Sequence, residues 1–269
     1  MSALATSSVR RPESRPAYNA SDASLNGGVA ASAPGYVADV AAICQSVLGP
    51  RSGWLPRSAL AQSLALCTIE AAQATCSDFI AVSNVIDRYQ AYRATRGHLG
   101  NNDGLRDLLE TFDDVGGPAI WAGKVGNFRR RYTGDGPAVC AAGIFHVADA
   151  FYRAGVNSAL DLTKALADTS RRAVIEQGWR TGLGDPVDRS WRHLLALTSP
   201  IDPALEASAV MALLKLTASP SAATSAFDSV SNTADALGVP VGTLRFTILR
   251  WYLSGTAKVP EQPALRNMV

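Results

Sequence analysis

From residue 36 onward, apolar residues recur at helical spacing along almost the whole chain, and this periodicity limits what the chain can fold into. Glycine, proline or a capping residue interrupts the pattern at short intervals, as in "YVADVAAICQSVL", which stops at Gly49 and Pro50. No segment shows a convincing alternation of apolar and polar residues, which is the mark of a half-buried strand. The sequence therefore predicts an all-α protein of a dozen or so short helices, without a detectable repeat.

Helix start and stop signals divide this region into segments. "PRSALAQSLALCTIEAAQAT" predicts one helix that begins at a proline, a residue that suits the first helical turn. Asp78 is the expected cap of the following helix, which ends at Gly97. "FRRRYTGDGP" is predicted to be a loop because of its Gly, Asp and Pro content.

The domain organisation follows from composition. Residues 1–34 are rich in Ser, Ala, Asn, Arg and Pro, and they predict a disordered tail, because such a segment buries too little apolar surface to offset the entropy lost on ordering. We expect one helical domain over residues 35–255 and a C-terminal tail over residues 256–269.

The charge balance and the apolar runs exclude several classes of protein. The net charge is +2, so no strong overall field attracts nucleic acid. No apolar run reaches the ~18–20 residues of a membrane span, and the N-terminus lacks the pattern of a secretory signal. We expect a cytoplasmic monomer with no membrane contact.

The cysteines and histidines show no metal-binding pattern. Cys44, Cys67, Cys76 and Cys140 form no C-x-x-C pair, and three of them lie inside apolar helical patterns. They predict buried free thiols, which fit a reducing cytosol. The three histidines are far apart in sequence, so zinc-type spacing is absent. We expect no metal ion and no cofactor.

Polar residues interrupt the end of the apolar helix in "LCTIEAAQATCSDF". A buried carboxylate without a partner is unfavourable, so Glu70 either lines a pocket or pairs with an arginine. A search for phosphate loops, dinucleotide fingerprints and nucleophile elbows finds none in the sequence. The candidate chemistry therefore depends on the arrangement of elements.

The stretch "LALCTIEAAQATCSDFIAVSNVIDRY" resembles the start of the helix-hairpin-helix DNA glycosylase superfamily. In its endonuclease-III branch the helix end reads like "LLSAQATD", and a glutamine there fills the gap left by a flipped base. Gln73 is the matching residue. Its amide can both donate to and accept from an orphaned base. The alternative is that Gln73 is a polar helix end on a loop.

A second stretch, "GWRTGLGDPVDRSWRHLLALTSPIDPALEASAVMALL", resembles the signature region of this superfamily, in which two helices joined by a glycine-bearing hairpin precede an aspartate. On this alignment "TGLGDPVDRS" is the hairpin, and Asp202 takes the place of the aspartate, 18 residues after Gly184. In another register Asp188 is the aspartate, but its hairpin, "ADTSRRA", has no glycine, so we prefer Asp202. The closing "LRFTILRWYLSG" is also similar to the last helix of uncharacterised actinobacterial members, which makes this chain a divergent relative.

The resemblance implies a fold of two helical lobes around a cleft, with DNA held by backbone N–H groups and arginines. The residues that it implies for this DNA contact are Gly182, Gly184, Arg189 and Arg192. A basic run of Arg129, Arg130 and Arg131 is either a further phosphate contact or a solvated loop. For the base pocket we choose Trp54, in a Gly-Pro loop, together with Glu70.

The resemblance also implies a mechanism for Asp202. Breaking an N-glycosidic bond develops positive charge on the sugar, and a nearby carboxylate stabilises that charge. Bifunctional members add a lysine in the second hairpin helix, but no lysine lies between Lys164 and Lys215, so a monofunctional hydrolase is expected. The last cysteine is Cys140, so the C-terminal iron–sulfur cluster of some members is not expected. The alternative role for Asp202 is that of a plain helix cap.

Three hypotheses of function follow from the sequence. The first is a DNA glycosylase-like protein that binds duplex DNA and excises a damaged or modified base in base excision repair. The second is a non-catalytic DNA-binding relative with the same scaffold, which Pro186 and Val187 favour because a tight hairpin turn would prefer glycine there. The third is a helical interaction protein without a role in nucleic-acid binding.

Overall fold

The computed structural model describes residues 34–100, 102–133, 136–183, 188–217 and 225–255. The predicted tails lie outside this range, apart from Pro34. The described residues form thirteen α-helices, one short 3-10 helix and one β-hairpin, which confirms the prediction of an all-α protein. None of these helices combines the length and the apolar character needed to cross a bilayer.

The elements follow one another with short connections. The helices are α1 (Pro34–Leu48), α2 (Arg57–Ala61), α3 (Leu64–Gln73), α4 (Phe79–Thr95), α5 (Leu105–Val115), α6 (Pro118–Lys124), α7 (Cys140–Arg153), α8 (Ala159–Ala167), α9 (Thr169–Leu183), α10 (Asp188–Thr198), α11 (Pro203–Leu214), α12 (Ala226–Leu237) and α13 (Val241–Leu253). The 3-10 helix is Arg51–Gly53, and the strands are β1 (Arg130–Thr133) and β2 (Gly136–Val139).

Local signals explain most helix boundaries. The Asp78 side chain accepts a hydrogen bond from the Ala81 N–H at 2.9 Å and caps α4, as predicted. The single helix predicted from "PRSALAQSLALCTIEAAQAT" is wrong, because the chain breaks between α2 and α3. Ser63 causes this break: its Oγ accepts from the Leu66 N–H at 3.1 Å, which starts a new helix, and donates to the Asp103 carbonyl at 2.9 Å.

The segment predicted to be a loop contains a β-hairpin. Strand β1 pairs antiparallel with β2, so that Arg130 lies opposite Val139 and Thr133 opposite Gly136. The Cys140 N–H donates to the Arg129 carbonyl at 3.0 Å and extends this ladder by one step. Each strand has only four residues, so its alternation was too short to separate from a loop by pattern alone.

The helices fall into two packed groups that share α3. Helices α5 to α9 pack on one another, and α1, α2 and α10 to α13 form the other group. Helix α3 contacts α5 and α7 of the first group as well as α2 and α10 of the second. All ten residues of α3 are buried, which makes it the central helix of the fold.

Glycines allow α9 to approach α7 closely. A Cβ at Gly182 would lie 2.7 Å from Val147 Cγ2 and 3.0 Å from the Val147 nitrogen, and one at Gly178 would lie 3.1 Å from the Ala150 Cβ. Gly182, predicted to contact DNA in the hairpin, lies within α9 and packs on α7. Gly184, the other predicted hairpin glycine, lies outside the described residues.

This packing predicts the effect of two Gly→Ala substitutions. We expect Gly182→Ala to lower the free energy of unfolding by about 1–3 kcal/mol, because its Cβ overlaps the backbone of Val147, which cannot rotate away. Gly242→Ala in α13 is the matched control, since its Cβ would meet nothing within 4 Å. We expect this change to raise the free energy of unfolding by about 0.5–1 kcal/mol. Urea unfolding of both variants measures the difference, and equal effects would contradict the close α7–α9 approach.

Candidate functional site

A charged cluster lies in the core where α3, α10 and α13 meet. Arg250 Nε donates to both carboxylate oxygens of Glu70, at 2.8 and 3.0 Å. His193 Nε2 lies 3.4 Å from Glu70 Oε1. Glu70 and Arg250 have no exposed surface, and His193 is 1% exposed. Of the two alternatives for Glu70 in the sequence, the structure shows the arginine partner, and Glu70 could contact a base only if this buried cluster opened.

The electrostatics of this cluster favour the charged carboxylate. Burial by itself opposes ionisation, but Arg250 and His193 outweigh it and lower the pKa of Glu70 to about 2. The guanidinium carbon of Arg250 also lies 5.3 Å from the centre of the Phe79 ring. Its two terminal nitrogens are buried without a hydrogen-bond partner among the described residues, so the pair is only partly satisfied.

Gln73 lies one turn after Glu70, and its environment differs from the prediction. The side chain is fully buried. Its Nε2 donates to Ser77 Oγ at 2.8 Å and to Asn127 Oδ1 at 3.0 Å. The amide therefore ties the end of α3 to the loop between α6 and β1, and filling a gap in DNA would require this turn to move.

The same turn carries a disulfide that the sequence did not predict. Cys76 and Cys140 are bonded, with their Cα atoms 6.5 Å apart, so the expectation of four free thiols is wrong for this pair. Cys44 and Cys67 are buried free thiols, and burial raises the pKa of Cys44 to about 12. The spacing of 64 residues between the bonded cysteines gave no local signal for the pairing.

Trp54, the other residue chosen for the base pocket, also belongs to the core. It is 6% exposed, and its Nε1 donates to the Leu48 carbonyl at 3.2 Å. The ring therefore anchors the connection between α1 and α2, and stacking on a flipped base, as predicted, would require it to leave this packing. The Gly-Pro sequence before it suggested exposure, but the tertiary packing of α1 buries it.

An open groove of about 630 Å³ brings together three of the predicted site residues, Asp202, Arg189 and Arg192. Its walls come from one face of α10, the start of α11 and the end of α13. The rest of its lining consists of Leu195, Ala196, Ser199, Pro200, Leu205, Tyr252, Leu253 and Gly255.

Each charged residue of the groove is positioned by its own element. Asp202 is exposed and caps α11, with Oδ1 accepting from the Ala204 N–H at 2.9 Å. Arg189 lies directly over Gly255, whose φ of +74° and lack of a Cβ leave room for the guanidinium. At the rim, Arg57 of α2 donates to the Ser199 carbonyl at 2.5 Å.

Helix α10 connects the groove to the buried cluster. Arg189 and Arg192, three residues apart, lie on its groove face. Ser190 and His193, also three residues apart, lie on its buried face. Ser190 Oγ accepts from Trp179 Nε1 at 3.0 Å, while His193 meets Glu70. The contacts of the buried face thus orient the helix that carries the two groove arginines.

The predicted arginine run lies on the hairpin and the loop before it. Arg129 and Arg130 are exposed, and Arg131 belongs to β1. The side chain of Arg131 lies outside the part of the structure that is described. The rival aspartate, Asp188, is the first residue of α10.

A second cavity, of about 280 Å³, lies beside Tyr89, Arg93 and Asp103. Arg93 donates to Asp103 at 2.8 Å and to Asp107 at 2.7 Å, and the Tyr89 hydroxyl donates to Asp103 at 3.0 Å. The main polar groups of this cavity, Tyr89, Arg93 and Asp103, pair with one another, so we assign them a structural role. No cluster of His, Cys, Asp or Glu suited to a metal ion occurs among the described residues.

Comparison with known families places the chain. A family model described as a domain of unknown function, DUF8548, matches residues 38–248. The chain belongs to this family. The match begins in α1 and ends in α13, so it spans both groups of helices and includes Asp202, Arg189 and Arg192 of the groove. The comparisons with curated proteins and with solved structures returned no match.

The charged cluster of this DUF8548 domain predicts a large effect of Glu70→Gln. This change leaves the Arg250 charge buried and uncompensated, and we expect the free energy of unfolding to fall by about 3–5 kcal/mol. The double variant Glu70→Leu/Arg250→Met removes both charges, so we expect it to lose much less than the sum of its two single changes. Chemical denaturation of the wild type, the single variants and the double variant measures this coupling, and strictly additive losses would contradict the ion pair.

The pKa of Glu70 also predicts a pH dependence. It lies at about 2 in the folded protein and near 4.5 in an unfolded chain, so the folded state binds fewer protons between these values. The contribution of the ionised Glu70 carboxylate to the free energy of unfolding is complete above pH 4.5 and is lost as the pH falls towards 2. We expect the stability of the wild type to fall more steeply in this window than that of Glu70→Gln. Parallel slopes in denaturation experiments from pH 6 to pH 3 would argue against this pKa.

Proposed function

We propose that this protein binds duplex DNA along the Asp202 groove and hydrolyses the N-glycosidic bond of a damaged or modified base there. One observation carries the proposal. Asp202 stands at the start of α11, directly after the helix pair α9 and α10, and shares one groove with Arg189 and Arg192. The resemblance to the superfamily had singled out this aspartate and these two arginines, and all three line one groove.

The order of elements supports the comparison with helix-hairpin-helix DNA glycosylases. Helix α9 ends at Leu183, α10 begins at Asp188, and the next helix is capped by Asp202. This is the order that the resemblance implies. The Asp202 groove is lined by α10, α11 and α13, which belong to one of the two groups of helices, whereas the resemblance implies a cleft between two lobes. The turn at 184–187 lies outside the described residues, so the support comes from the helices on either side.

The chemistry of the groove suits this reaction class. One Asp202 oxygen accepts the capping hydrogen bond, and the exposed carboxylate can place its negative charge beside a sugar that becomes positive as the base leaves. The two arginines offer bidentate contacts to phosphate. Because no lysine lies between Lys164 and Lys215, water is the expected nucleophile, and the strand should stay intact after base release.

A non-catalytic DNA-binding protein with the same scaffold is the second candidate. The exposure of Asp202 favours this second candidate, because a carboxylate stabilises a positive charge on the sugar more strongly in a site that excludes water. Tyr252 is the only aromatic residue among the described lining of the groove, so few groups could enclose a flipped base. Catalysis and binding must therefore be measured separately.

Asp202→Asn separates these two functions. We expect base release to fall by about 100- to 1,000-fold, because the charge that stabilises the sugar cation is lost. Asparagine also caps helices well, so stability and duplex affinity should change little. The measurement is release of free base from duplexes that carry alkylated, deaminated or oxidised bases, with alkali added afterwards to reveal abasic sites.

Two control variants and two measurements on the wild type make the result decisive. Asp188→Asn tests the other register, and loss of activity in that variant alone would show that the aspartate was misassigned. Arg189→Ala/Arg192→Ala should weaken duplex binding and make it less dependent on salt. A wild type that binds duplex DNA but releases no base would support the second candidate. Absence of duplex binding at low salt would leave a helical interaction protein as the better description.

A further inference from the structure

The loop that joins α6 to β1 presents an aromatic side chain to solvent. Phe128 is 68% exposed. Its ring does not project freely, because a Cβ at Gly123 would lie 3.0 Å from the Phe128 Cζ. The tip of the ring therefore lies against the bare backbone of α6, and most of the side chain is open to solvent.

Positively charged residues flank Phe128 in the sequence. Lys124, Arg129 and Arg130 are exposed on either side of Phe128 in the chain. No Asp or Glu occurs between Asp114 and Asp135 in the sequence. The chain as a whole has a net charge of only +2, so this stretch is locally much more basic than its surroundings.

The loop is held in place by contacts to its backbone and side chains. Arg88 of α4 donates to the Val125 carbonyl at 2.9 Å and to the Gly126 carbonyl at 2.5 Å. Asn127 Oδ1 accepts from Gln73 Nε2 at 3.0 Å and from the Arg129 N–H at 3.1 Å. A loop that is already ordered loses little entropy when it binds a partner.

We propose that this surface, formed by Lys124, Phe128, Arg129 and Arg130, binds unpaired nucleotides of single-stranded DNA. A base would stack on the open side of the Phe128 ring, and the cations would contact the flanking phosphates. An exposed ring that is flanked in sequence by cations suits single-stranded DNA, in which flat bases alternate with negative phosphates. The surface shares no residue with the Asp202 groove, so the proposal does not depend on the function proposed for that groove.

The test is fluorescence anisotropy of the full chain with a short labelled oligothymidylate at low salt. We expect Phe128→Ala to weaken binding by about 5- to 100-fold, as removal of a stacking ring does in single-strand sites. Phe128→Tyr should retain binding because it keeps the ring, whereas Phe128→Leu should behave like the alanine variant. Arg129→Ala should lower the slope of log affinity against log salt by about 0.7.

Two controls distinguish binding at this surface from binding elsewhere on the protein. Leu160→Ala on α8 removes a side chain of similar exposure, 62%, and should leave binding unchanged. Arg189→Ala/Arg192→Ala, in the Asp202 groove, should lower the affinity for oligothymidylate by clearly less than Phe128→Ala does. The proposal is overturned if the wild type does not bind oligothymidylate, or if Phe128→Ala, folded by circular dichroism, binds as the wild type does. If Arg189→Ala/Arg192→Ala lowered the affinity for oligothymidylate as much as Phe128→Ala does, the claim of a separate binding site would be overturned.

Discussion

The buried pair of Glu70 and Arg250 is the interaction on which the arrangement of the central helices depends. It joins α3 to α13 across 180 residues of sequence, and His193 adds α10 to the same point. A lone charge at any of these positions would be strongly unfavourable, so each helix must be in place before the others can stay buried. A well-packed apolar pair could give similar stability. We therefore attribute to the ion pair mainly the selection of one relative position of the three helices.

This constraint extends to the surface through α10. The contacts of Ser190 and His193 set the rotation of the helix about its axis, and that rotation turns Arg189 and Arg192 towards the groove that contains Asp202. A change in the core cluster should therefore affect the groove as well as stability. Loss of function in a Glu70 variant would not, for this reason, identify Glu70 as a residue that contacts DNA.

The end of α3 has a related role on the other side of the fold. Gln73 follows Glu70 by one turn, a rise of roughly 5 Å, and binds Asn127 in the loop that presents Phe128. The disulfide between Cys76 and Cys140 links the same turn to the base of the hairpin. The polar end of this buried helix thus serves as a support for the Phe128 loop. The sequence had suggested instead that Gln73 itself contacts DNA.

The sequence by itself determined the helical class and most helix boundaries, because Gly49, Asp78 and Asp202 act on backbone groups within a few residues of their own position. It also singled out Asp202, Arg189 and Arg192, which share one groove. Only the tertiary structure decided that Glu70, Gln73 and Trp54 are buried, that Gly182 packs on α7, and that Cys76 pairs with Cys140. Each of these depends on residues far away in the chain, and a local pattern carries no information about which distant helix will arrive beside it.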